Sequence, residues 1–130
     1  MNPASAVVQK YSIDIAKEAA AAGVDDITFD YLRRADGRAS DMVFVGTTSP
    51  IEDSMVSFLR DAGRALRGTK TRVGVSVSGF AANYPERVSQ PLVRFAAVVD
   101  YISPVLYPSQ WEDGDYGVPD PMSEPDIVVW

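Results

Sequence analysis

The chain contains no cysteine and no histidine, and these two absences remove whole classes of chemistry. Without cysteine there are no disulfides, thiol nucleophiles or cysteine metal sites, and the redox compartment is left open. Without histidine, a Ser-His-Asp or Cys-His apparatus, histidine general-base catalysis and histidine-ligated zinc all fall away, so acid–base work rests with carboxylates, tyrosine or lysine. Long apolar runs are also missing: none approaches the ~18 residues of a membrane span. The first residues lack the basic-then-apolar order of a secretory signal, so the chain as it stands reads as soluble, with no localisation signal of its own. Positive charge is scarce, with 12 Lys and Arg against 18 Asp and Glu and a net charge of −6. Clustering occurs only at Arg33-Arg34 and around Arg64 and Arg67, which argues against a nucleic-acid partner, because phosphate binding needs grouped cations.

What is present describes an ordinary globular protein: 46% hydrophobic and 23% charged residues in 130 positions. That length suits one domain over 1–130 but falls short of the ~200–250 residues of a complete eight-stranded α/β barrel. Asn2-Pro3 predicts a helix opening, with Val8, Tyr11, Ile15, Ala19 and Ala22 as its apolar stripe and Gly23 as its stop. Ile27, Phe29 and Tyr31 alternate with Thr28 and Asp30, the period of two of a strand. Ser49-Pro50-Ile51-Glu52 reads as a capping box before a helix whose face is Ile51, Met55, Phe58, Leu59, Ala62 and Leu66. Val73, Val75 and Val77 alternate with Gly74, Ser76 and Ser78 in a second strand. In a barrel, those valines would face the helices and the small residues the interior. A loop from Ala81 to Gln90, a short helix opening at Gln90-Pro91 and a third strand from Tyr101 to Tyr107 follow. Pro104 disfavours a central place for that strand. Three strand–helix units in this order predict an α/β fold, a partial TIM-barrel-like parallel sheet.

In such folds, ligands and catalytic groups gather at the carboxyl ends of the strands. Asp30 stands at one such end, followed by Arg33-Arg34 and the Asp36-Gly37 turn signal, so the strand delivers a carboxylate to a polar loop. The bland alternative is an Asp that caps the loop or pairs with Arg33. The run Met42 to Val45 reads as a strand or a lid.

Three stretches carry a resemblance to a known family: Tyr11 to Gly23; Phe29-Asp30-Tyr31-Leu32-Arg33 with Asp36-Gly37; and Val99-Asp100-Tyr101-Ile102-Ser103-Pro104-Val105-Leu106-Tyr107-Pro108-Ser109, continued by Tyr116-Gly117 and Asp120-Pro121. On these residues the chain resembles the glycosyl-hydrolase family of TIM-barrel proteins first catalogued as a domain of unknown function, and corresponds to an inner portion of that barrel. The resemblance implies a glycosidase-like domain acting on an oligo- or polysaccharide, with a carbohydrate as partner. It also hints at export or envelope association. No cofactor or metal is expected, because nothing in the sequence specifies one, the alternative being a carboxylate-bound Mg²⁺ or Ca²⁺ at Asp30. The chain departs from the family pattern with Arg34-Ala35 in place of phenylalanine-proline, Gln110 in place of histidine, and Ser76 in place of an aspartate.

Most glycoside hydrolysis uses two carboxyl groups, ~5–5.5 Å apart for retention and ~6.5–9.5 Å for inversion. Asp30 is the first candidate. Glu112, Asp113 and Asp115 are candidates for the second, against the alternative of a solvated acidic turn; Asp36 fits turn chemistry better. Tyr107 and Trp111 suit a sugar-stacking platform, the alternative being loop packing on the rim. Arg33 would orient Asp30 or another carboxylate by a charge-assisted hydrogen bond. Ser76 and Ser78, with Gln110 where the family has histidine, would meet sugar hydroxyls, the equal alternative for the serines being small interior fillers. The alternatives to an enzyme are a non-catalytic carbohydrate-binding remnant of the barrel, or a fragment without independent function that self-associates through open sheet edges.

Overall fold

The computed structural model describes residues 2–34 and 49–127. Its elements are helix α1 (Ala6–Ala21), strand β1 (Asp26–Phe29), helix α2 (Ile51–Ala65), strand β2 (Arg72–Ser78), the short helices α3 (Pro85–Val88) and α4 (Leu92–Ala96), and strand β3 (Tyr101–Val105). The strands form one open parallel sheet in the order β1-β2-β3. Helix and strand alternate along the chain and the three strands run parallel, as in a portion of an α/β barrel. Pro104 accordingly sits on an edge strand, where a missing N–H costs least.

One face of the sheet is apolar. Val75 and Val77 of β2 pack with Ile51, Met55, Phe58 and Leu59 of α2 and with Phe95 of α4, while Ile27, Phe29 and Val73 meet Ala16 of α1 and Leu66. The whole face expected for α2 is buried, and Gly68, at φ +96°, lies beyond its end. Burying side chains as large as Met55 and Leu59 contributes about 1.5–3 kcal/mol each, which makes α2 the main anchor of the sheet.

The opposite row is small or polar. Ladder partners Thr28, Gly74 and Tyr101 stand side by side. A Cβ on Gly74 would lie 2.2 Å from Cζ of Tyr101, so only glycine lets that ring cross β2, and its hydroxyl meets Oγ1 of Thr28. One level further on stand Ser76 and its partner Ser103. β2 therefore has the alternation anticipated for it, valines toward the helices and Gly74, Ser76 and Ser78 away from them.

Several local expectations are corrected. α1 begins at Ala6 behind Ser5, because Oδ1 and the carbonyl of Asn2 accept the N–H groups of Ala4 and Ser5 and close a turn first. Its packed side is Ile13, Ala16 and Ala20, leaving Tyr11 and Ile15 exposed. In this alanine-rich helix, docking on α2 and β1 decides the face. No side-chain cap forms at α2, whose N-cap is Pro50. β1 stops at Phe29, and Tyr31 turns out of the strand alternation with φ +54°. The stretch expected to be a plain loop before Gln90 contains a 3-10 turn (Gly79–Ala82) and α3. Asp36 and the run Met42 to Val45 lie outside the described residues.

Candidate functional site

A cleft of about 780 Å³ opens beside the carboxyl ends of the three strands. Asp30 comes from the end of β1, Ser76 and Ser78 from β2, and Ser103 and Val105 from β3; the segment after β3 adds Tyr107, Gln110 and Glu112. Of the residues singled out from sequence, Asp30, Arg33, Ser76, Tyr107, Gln110 and Glu112 thus share one cavity wall. Trp111, Asp113 and Asp115 do not line it.

Asp30 follows Phe29, the ladder partner of Val75, and so stands level with Ser76 and Ser103. One carboxylate oxygen of Asp30 accepts the N–H of Tyr31 at 2.8 Å. The left-handed backbone of Tyr31 makes this tight turn, and the N–H of Arg33 closes it by donating to the Tyr31 carbonyl at 2.9 Å. The ring of Tyr31 is 73% exposed on the cleft wall, with the Arg33 guanidinium 5.8 Å from its centroid. Tyr107, which lines the same cleft, is 64% exposed. Two open tyrosine faces on one cavity are a surface on which the C–H faces of a sugar can stack.

Trp111 has a different neighbourhood. Its ring stacks on Phe80 at 5.1 Å and meets Tyr116 at 4.8 Å, and Tyr84 approaches Tyr116 at 5.6 Å. This aromatic cluster ties the turn after β2 to the loop after β3. Asp115 accepts the N–H of Glu112 at 2.9 Å and faces Arg87 at 3.7 Å, so it braces the loop that carries Glu112. Asp113 is exposed.

Two contributors escaped the sequence reading. Gln90, 1% exposed, accepts the Ser78 N–H at 2.8 Å and donates to the Leu32 carbonyl at 3.1 Å. It thereby fixes the exits of β1 and β2 to one another. Its only signal in sequence was a polar residue before Pro91, which reads equally as a helix start. Arg34 donates from Nη2 to the Arg87 carbonyl at 3.0 Å, while its Nε is buried without an acceptor among the described residues. Arg87 lies 4.4 Å from the Phe80 centroid, in cation–π range.

Among the described residues no group of three or more Asp, Glu, His or Cys side chains is arranged to hold a metal, and no helix is long and apolar enough to cross a membrane. No curated protein and no solved structure matches the chain. A family model does match, over residues 1–130, and its description is "putative glycosyl hydrolase domain". The strand-end cleft, the carboxylate at the end of β1 and this match along its whole length agree, and the chain belongs to that glycosyl hydrolase family.

Proposed function

We propose that the chain supplies the Asp30 side of a glycoside hydrolase active site that acts on an oligo- or polysaccharide. The observation that carries this reading is that Asp30 opens on the same cleft as the Ser76 and Ser103 hydroxyls and the exposed Tyr107 ring, at the carboxyl ends of parallel strands. Those are the parts sugar recognition needs: a fixed carboxylate, hydroxyl partners and an aromatic face.

Glu112 is the second carboxylate of choice, because it lines the cleft while Asp113 and Asp115 do not. Asp30, already accepting a backbone N–H, suits the ionised role of nucleophile or base, and Glu112 that of the acid. The 130 residues form a single domain that contributes a portion of a (β/α)8 barrel.

A second reading has a specific observation behind it. At the level of Asp30, β2 and then β3 offer serine, Ser76 and Ser103, where another carboxylate would complete a pair. On that reading the cleft binds carbohydrate without cleaving it. Asp30→Asn separates the two. An enzyme loses turnover by roughly 100-fold or more while sugar binding persists, and Glu112→Gln also loses turnover. A binding module shows no turnover in the unaltered chain and unchanged binding in Asp30→Asn. Full turnover in both variants overturns the catalytic assignment.

A further inference from the structure

Carboxylates outnumber cations 18 to 12 in the chain. Among the described residues that line the cleft, Arg33, Arg34 and Arg87 stand beside Asp30 and Glu112. All three cations are arginines, whose planar fork matches carboxylate and sulfate oxygens in pairs. Arg34 is joined to the backbone of Arg87 by a 3.0 Å hydrogen bond, and the Arg87 guanidinium faces Asp115 at 3.7 Å.

A buried donor without an acceptor costs stability, and the Nε of Arg34 is such a donor among the described residues. An anionic group entering the cleft gives the arginines that line it a partner of opposite charge. The same arginines offset the repulsion that an acidic sugar meets from Asp30 and Glu112.

We infer that the natural ligand is an acidic sugar chain, one whose residues carry carboxylate or sulfate groups, with Arg34 and Arg87 as the anion-recognising pair. This deepens the glycan reading above and rests on it.

The test is calorimetric titration of the 130-residue chain with a galacturonate oligomer, a dextran sulfate oligomer and neutral cello- and xylo-oligomers, at low and high salt. Arg34→Gln, Arg87→Gln and the fork-removing, charge-keeping Arg34→Lys are titrated alongside, each checked for an unchanged melt. The expected result is binding of an acidic oligomer in preference to the neutral ones, weakened by salt and at least tenfold weaker in both glutamine variants. Preference for galacturonate marks the anion as a carboxylate, and preference for dextran sulfate marks it as a sulfate ester; either supports the inference. Neutral oligomers bound as tightly as acidic ones overturn it while leaving the glycan reading standing. Acidic binding that is equal in the glutamine variants overturns it as mere bulk charge attraction. Loss of all glycan binding overturns both. If a glutamine variant melts differently, the salt dependence and selectivity of the unaltered chain decide.

Discussion

Tyr31 holds a left-handed backbone conformation, which costs an ordinary residue about 1–2 kcal/mol. The turn it makes brings its own N–H onto the Asp30 carboxylate, while its ring stays in solvent on the cleft wall. Strain at such a place is consistent with a residue kept for its side chain. Tyr31→Gly and Tyr31→Ala both remove the ring, but only glycine removes the strain. The glycine variant is therefore expected to be more stable than the alanine variant by about 1 kcal/mol in urea unfolding, with sugar binding weakened in both. Equal stability of the two would sink the claim of strain. In the sequence, Tyr31 continues the alternation of Ile27 and Phe29 and reads as a strand residue; a positive φ leaves no mark in a hydrophobic pattern. Asp30 was legible because it follows an apolar run, whereas the packing of Trp111 on Phe80 depends on two loops that only the fold brings together.

At the scale of elements, α2 and β2 could be read from sequence because each has one clean period and one buried face. The helix α1 was legible too, but its packed face was not, since Tyr11 and Ile15 form as apolar a stripe as Ile13, Ala16 and Ala20. Its exposed side carries the pair Lys10 and Asp14, and the hydrogen bond from Lys10 holds the Asp14 carboxyl below its ordinary range. A depressed carboxyl contributes stability above its unfolded value, and that contribution fades as pH falls through the folded value. Lys10→Gln is expected to return the Asp14 titration, followed by NMR, toward the ordinary carboxylate range; an unmoved titration would show that Lys10 is not the cause.

Gln90 acts between elements. Cutting it to alanine strands the Ser78 N–H and the Leu32 carbonyl, each worth about 1–3 kcal/mol when buried and unmet. The denaturation midpoint of Gln90→Ala should fall accordingly, and the Ser78 amide should exchange faster. An unchanged midpoint would mean that the exits of β1 and β2 are set by other contacts. Sequence could not show this role, because it joins positions 32, 78 and 90 across two connections.

For the whole molecule, the sheet formed by the described residues has β1 at one edge and β3 at the other, each paired there on one side only. Exposed Val7, Tyr11 and Ile15 recur every four residues along α1 and leave an apolar line on its outer side. Open strand edges and an uncovered apolar helix face both favour association. In a closed α/β barrel, neighbouring strand–helix units cover the corresponding surfaces. The isolated 130-residue chain is therefore expected to show a weight-average mass that rises with concentration in light scattering. Two contributions can be separated. Tyr11→Lys with Ile15→Lys charges the helix line without touching the packed side of α1, so it should lower the association while leaving the melting temperature nearly unchanged. If association persists in that variant, the strand edges drive it. A mass that stays monomeric across a wide dilution series, with a single cooperative melt, would show that the α2-centred core is sufficient by itself and that the chain folds as an independent unit.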